Sequence, residues 1–134
     1  MKIKQLCSCQ SIQPSAINLS VMKLLIVEDN SDMRRLIRQF VGKYTDEVFE
    51  CTDGSEALTF YKRHRPDWVL MDIEMNHTDG ISATRQIKAA FPDARVVIVT
   101  NHNTAALREE AQAAGAQGYV LKENLAALKQ WLAP

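Results

Sequence analysis

From residue 22 onward, hydrophobic positions concentrate in five short runs: Lys23 to Val27 (KLLIV), Glu47 to Cys51, Trp68 to Met71, Arg95 to Val99 and Gly118 to Leu121. Runs this short, several rich in β-branched residues, read as strands, and their continuous apolar character fits strands buried on both faces. The stretches between them change period. From Ser31 or Asp32, either able to cap a helix, Met33, Leu36, Ile37, Phe40 and Val41 recur at i, i+3, i+4, i+7 and i+8, with Gly42 near the end. Thr52-Asp53-Gly54 turns into a second helix through Ala57, Leu58 and Tyr61, stopped by Pro66. Gly80 precedes a third, with Ile81, Thr84, Ile87 and Phe91, ended by Pro92. A weaker alanine-rich helix over Thr104 to Ala114 ends at Gly115, and Leu125, Leu128 and Leu132 mark a last one.

Five strands alternating with five helices define an α/β class: a doubly wound parallel sheet with helices on both faces. Residues 1–21 show no sustained period and read as a loose N-terminal extension, so the folded domain is expected over 22–134, with Met22 a candidate natural start. No apolar run reaches 18 residues and no secretory signal opens the chain, which predicts a cytoplasmic protein without a membrane span. Cys7, Cys9 and Cys51 are an odd, poorly spaced set, read as reduced thiols and not as a disulfide framework or a metal knuckle.

Charge sharpens the picture only locally. The chain carries 16 basic and 16 acidic side chains; Lys2 and Lys4 are the only charged residues before Met22, so residues 22–134 hold 14 and 16, a net of −2. That balance argues against a nonspecific nucleic-acid or anionic-membrane binder, and Arg34, Arg35 and Arg38 read as the solvated face of the first helix.

In open parallel sheets, ligands bind outside the carboxyl ends of the strands. Here the first strand ends in Glu28-Asp29, the third in Asp72, the fourth in Thr100 and the fifth in Lys122. Each has an ordinary explanation alone, as a cap, a turn residue or a return to solvent. Gathered at one sheet edge they make a site. Three carboxylates repel one another unless a positive charge joins them. All-oxygen donors suit a hard cation such as Mg²⁺. A metal-bridged carboxylate beside a hydroxyl and an ammonium is equipment for phosphoryl transfer. With no central Ser or Cys, the nucleophile is a carboxylate and the product an aspartyl phosphate.

Four spaced motifs carry a resemblance: LLIVEDN at 24–30, DIEMNHTDG at 72–80, VVIVT at 96–100 and GYVLK at 118–122. Over about residues 22–133 the chain resembles the receiver domain of bacterial two-component response regulators, the CheY-like fold, a family with sheet order 2-1-3-4-5. The resemblance implies Asp72 as phosphoacceptor. Glu28, Asp29, Asp72 and the backbone carbonyl of Glu74 would hold Mg²⁺, while Thr100 and Lys122 would hold phosphoryl oxygens. Tyr119 matches the aromatic residue that changes rotamer with the threonine and remodels the face of the fourth helix, fifth strand and last helix. Implied partners are a sensor histidine kinase or phosphotransfer protein and a downstream protein target, with the chain a monomer or a phosphorylation-linked homodimer. Self-phosphorylation from small donors and self-dephosphorylation are expected, without turnover of a separate substrate.

DGISATRQIK with AGAQGYVLKENL looks most like receivers of the NarL type, here read without an output domain. Asn76 and Glu123 stand where proline is common in the family, and Glu74 and His102 occupy positions that in the family adjust phosphoaspartate hydrolysis. His102 has no clear spacing with His64 or His77 for a metal site. Two neighbouring readings are the receiver half of a longer DNA-binding regulator and a phosphorylation-independent interaction module; the complete set of Asp29, Asp72, Thr100 and Lys122 opposes the latter. A nucleotide or flavin binder would need a glycine-rich loop after the first strand, where this chain has Glu28-Asp29-Asn30-Ser31.

Overall fold

The computed structural model describes residues 21–134. The expected loose extension, with Cys7 and Cys9, lies outside the described residues apart from Val21. The elements are β1 (Lys23–Val27), α1 (Ser31–Val41), β2 (Glu47–Cys51), α2 (Gly54–His64), β3 (Trp68–Met71), α3 (Gly80–Ala90), β4 (Val96–Thr100), α4 (Ala105–Ala113), β5 (Gly118–Leu121), a 3₁₀ segment (Lys122–Leu128) and α5 (Lys129–Leu132). All strand pairs are parallel, in the order β2-β1-β3-β4-β5. This is the doubly wound, CheY-like sheet.

Strand alternation divides the core in two, because successive side chains point to opposite faces. Leu25, Val27, Val69, Met71, Val96 and Ile98 face a layer containing Ala57, Tyr61, Ile81 and Ile87 from α2 and α3, with Ala111 from α4. Leu24, Ile26, Leu70, Val97 and Val99 face Ile37 and Val41 of α1 and Leu128 and Leu132 near the C-terminus. Ile98 is wholly buried; truncating such a side chain to alanine costs about 2–5 kcal/mol.

Three expectations are corrected. First, Asn30 caps α1, not Ser31 or Asp32. Asn30 has extended backbone, and its side chain accepts from the Met33 amide at 2.8 Å. Ser31 is already the first helical residue, so its side chain is one position too late for that bond. Second, Leu36 is 47% exposed. Ile37 and Val41 occupy the centre of the buried stripe, leaving Leu36 at its margin in a shallow groove with Phe40, Lys43 and Leu125. Third, the last helix is not continuous. Asn124, at φ −135° and ψ 57°, breaks the 3₁₀ segment before α5 begins. Residues at i and i+3 eclipse in a 3₁₀ turn, so Leu125 and Leu128 both remain buried and the apolar spacing could not distinguish the two helix types.

Other ends follow the sequence. Arg65, just before Pro66, closes α2 in the left-handed region at φ 46°, with its amide bonded to Tyr61 and its guanidinium 4.3 Å from the Phe91 ring. Proline disfavours helical backbone in the residue before it, so the helix stops there. Gly115, at φ 105°, lets the Ala116 amide turn back to Ala111 at 3.0 Å, closing α4. Among the described residues, no helix is long and apolar enough to cross a membrane.

Candidate functional site

The site is built by register. β1 pairs Val27 with Met71 of β3, and the next residues are Glu28 and Asp72; the Asp72 amide donates to the Val27 carbonyl at 3.0 Å. Thr100 is the last residue of β4 and pairs with Leu121, after which comes Lys122. Parallel pairing therefore delivers Glu28, Asp29, Asp72, Thr100 and Lys122 to one edge. They line a pocket of about 440 Å³ together with Asn30, Glu74, Asn76 and His102.

Burial makes the cluster electrostatically demanding. Glu28, Asp72 and Thr100 are 1%, 5% and 0% exposed, whereas Asp29 lies at the surface. The Lys122 ammonium stands 2.9 Å from Glu28 Oε1 and 3.3 Å from Asp72 Oδ1. Asp72 Oδ1 also accepts from the Ile73 amide at 2.9 Å, and Glu28 Oε2 accepts from the Asn30 amide at 3.1 Å. Burial pushes the pKa of both carboxyls up, with Lys122 pulling the other way. For Lys122 itself, burial favours the neutral amine, but the close contact and charge of Glu28 with the charge of Asp72 outweigh it and raise its pKa.

One ammonium does not balance three carboxylates. Oxygen atoms of Glu28, Asp29 and Asp72 all lie within 4.8 Å of one another. Glu28 Oε1 is buried and accepts no aligned hydrogen bond, although the ammonium is close. When ionised, the three acids and Lys122 leave a net of about −2, which a divalent cation cancels. The donor set is all oxygen and partly open to solvent, so these residues fit a hard cation that retains water.

The remaining sequence-predicted residues gather around His102. Its amide donates to Thr100 Oγ1 at 3.2 Å, so the threonine hydroxyl proton is free to turn toward the pocket. Its carbonyl accepts from the Tyr119 hydroxyl at 2.8 Å, and its Nε2 lies 2.9 Å from Glu74 Oε2 across the pocket mouth. The Arg108 guanidinium covers the Tyr119 ring at 4.5 Å and bonds Asn103 at 3.0 Å. His64 stacks on Phe49 at 3.9 Å, away from this cluster.

Two functional contacts escaped the sequence. Asp53 caps α2 through Ser55 and also accepts from the His77 and Thr78 amides, at 2.9 and 3.2 Å, fastening the loop that follows Asp72. Burial pushes its pKa up, but the hydrogen bonds from His77, Ser55 and Thr78 outweigh that and hold it well below the usual carboxylate range. The turn into α2 was legible in Thr52-Asp53-Gly54; the contacts to residues 24 and 25 positions away had no local signal. Arg34, read as solvated, is only 19% exposed in its side chain and bonds the carbonyls of Glu28 and Asp29. Buried Cys51, by contrast, has its thiol pushed up to about 12, chiefly by burial and then by Glu56, and is no nucleophile.

The family described as "Response regulator receiver domain" matches residues 24–133. The chemotaxis protein CheY of Halobacterium salinarum is 36% identical over 100 residues, covering 75% of this chain and 83% of that protein. Among solved structures, a two-component response regulator of the LuxR family from Aurantimonas sp. SI85-9A1 superposes with a TM-score of 0.77 at 33% identity, covering 83% of this chain and 81% of that one. CheY in the CheX-CheY-BeF3-Mg+2 complex from Borrelia burgdorferi superposes with a TM-score of 0.74 at 27% identity, covering 81% and 84%. The chain belongs to the response regulator receiver domain family, CheY-like signalling domains of two-component systems.

Proposed function

We propose that residues 22–134 form a cytoplasmic phosphoacceptor module. In this reading, Asp72 takes a phosphoryl group from a histidine kinase or phosphotransfer protein in a Mg²⁺-dependent reaction, and the phosphorylated form controls a downstream protein. The observation that carries this is the position of Asp72: a buried carboxylate beside Lys122, within 4.8 Å of two further acids. The BeF3-Mg+2 complex of the Borrelia CheY supports the same chemistry by similarity.

The two oxygens of Asp72 are not equivalent. Oδ1 is engaged by Lys122 and the Ile73 amide, leaving Oδ2 free of those contacts to act as nucleophile. A bond forms from Oδ2 to phosphorus as the donor's phosphorus–nitrogen bond breaks. Glu28, Asp29, Asp72 and the Glu74 carbonyl are the residues to hold Mg²⁺, which when bound neutralises charge on the transferring oxygens. Lys122 and the Thr100 hydroxyl receive the new phosphoryl oxygens. Because His102 bonds both Thr100 and Tyr119, displacement of the threonine reaches the aromatic ring through one residue.

Incubation with acetyl phosphate and Mg²⁺ tests the proposal. A single phosphate-sized mass gain is expected for the wild type and not for Asp72→Asn; no gain in the wild type, or the same gain in the variant, overturns it.

A further inference from the structure

Arg34 occupies an unusual place for an exposed-face arginine. Its Nη1 donates to the Glu28 carbonyl at 2.9 Å and reaches the Asp29 carbonyl at 3.4 Å, while its Nε bonds Glu50 Oε1 at 3.0 Å. Glu50 belongs to the edge strand β2, and its second carboxylate oxygen is taken by Arg38. Arg34 and Glu50 are 19% and 29% exposed in their side chains, so the pair is sheltered from full solvent screening. The guanidinium is thus a rigid brace from β2 to the two peptide groups that carry Glu28 and Asp29.

We propose that Arg34, anchored by Glu50, is a positioning residue for the divalent-cation site: it fixes the peptide planes of Glu28 and Asp29, and through them the direction of both carboxylates. The inference rests on the metal-dependent reading above. Orientation matters here because Asp29 is exposed and Glu28 has one oxygen without an aligned donor, so neither carboxylate is fully held by its own contacts. A backbone free to rotate at this corner would have to be ordered by the ion itself, at the expense of affinity.

Two effects of Arg34 oppose each other, and this makes the idea testable by sign. Its positive charge repels a bound cation; its bonds preorganise the ligands. If charge dominated, Arg34→Met would bind Mg²⁺ more tightly and Arg34→Lys would be unchanged. If positioning dominates, both variants bind more weakly, because lysine keeps the charge but cannot bridge a carboxylate and a carbonyl with a planar fork. Loss of an outer contact to a metal ligand typically weakens binding about 10–100-fold, and roughly tenfold is expected for each variant.

The experiment is calorimetric titration with MgCl₂ of the full chain, wild type and the variants Arg34→Met, Arg34→Lys and Glu50→Gln, with thermal unfolding in EDTA to monitor folding. Glu50→Gln is expected to weaken binding less than Arg34→Met, and to add nothing in an Arg34→Met background, since the two act as one brace. If Arg34→Met does not fold, Arg34→Lys and Glu50→Gln decide the matter by the same criterion. Unchanged or tighter Mg²⁺ binding in the folded Arg34 variants overturns the positioning role while leaving the metal-dependent reading intact. Absence of Mg²⁺ binding by the wild type overturns that reading and the positioning role with it.

Discussion

The Tyr119 hydroxyl donates to the backbone carbonyl of His102 at 2.8 Å, tying the half-buried ring of β5 to the loop after β4. Since the His102 amide bonds Thr100 Oγ1, the two ends of this connection lie on opposite sides of one residue. Tyr119→Phe is expected to lower stability by about 1 kcal/mol, the net worth of a typical hydrogen bond, in urea unfolding. It should leave the acetyl phosphate mass gain intact. Taking a two-state equilibrium from 1% to 99% requires about 5.5 kcal/mol, so loss of this one bond should shrink, and not abolish, phosphorylation-dependent chemical-shift changes in β5 and α4. Unaltered shift changes would remove Tyr119 from the switch.

The Asp53 carboxylate holds the loop after Asp72 through the His77 and Thr78 amides while capping α2. Removing a buried acceptor strands its donors, so Asp53→Ala is expected to cost about 1–3 kcal/mol. The pH sign follows from its lowered pKa. A carboxyl more acidic in the folded than in the unfolded state contributes stability that is complete above the unfolded value, near the reference of 3.8, and is lost as pH falls toward the folded value. The stability difference between wild type and Asp53→Ala should be constant from neutral pH to about 5 and shrink below about 4. A difference that persists unchanged into acid would show that the carboxylate charge is irrelevant to the latch.

Metal removal should reverse the order of two proteins. Without Mg²⁺, Asp72 adds a second buried carboxylate beside Glu28, against one ammonium. Asp72→Asn removes that charge and keeps the side-chain volume, so in EDTA it is expected to unfold at a higher temperature than the wild type. Mg²⁺ at 100 times its Kd should stabilise the wild type by about 2.7 kcal/mol and the variant by much less. Equal response of both proteins to Mg²⁺ would mean that Asp72 is not among the ligands.

The strands and the strand-end chemistry were legible because both are local: a run of apolar residues marks a buried parallel strand, and the polar residue that ends it marks the sheet edge. Topology then did the assembling, bringing together Glu28, Asp72, Thr100 and Lys122 from four separate stretches. What escaped was set by long-range geometry. Arg34 looked solvated because its partners, the carbonyls of Glu28 and Asp29, are backbone atoms that no side-chain pattern records. Asp53 read only as part of the turn into α2 because the His77 and Thr78 amides approach it only once β2 and β3 are in place. The break at Asn124 was hidden by an apolar spacing that two helix types share.

Gly80 offers the most demanding test of the acceptor loop. Its amide donates to the Ile73 carbonyl at 2.8 Å, and its backbone passes so close to Asp72 that an added Cβ would lie 1.8 Å from the Asp72 carbonyl oxygen and 2.9 Å from Met71 Cγ. The first contact is with backbone and cannot be relieved by a rotamer change. Gly80→Ala must therefore push α3 away from β3 or turn the Asp72 peptide, and overpacking of this kind costs about 1–3 kcal/mol or more. The same displacement tilts the Asp72 carboxylate relative to Lys122 and the acidic pair. A misplacement near 1 Å can cost about a hundredfold in rate. Gly80→Ala, if folded by circular dichroism, should accept phosphate from acetyl phosphate at least tenfold more slowly than wild type, whereas Ser82→Ala, at a half-buried position in the first turn of the same helix, should not. Wild-type kinetics in a folded Gly80→Ala would mean that Asp72 is positioned independently of its contact with α3.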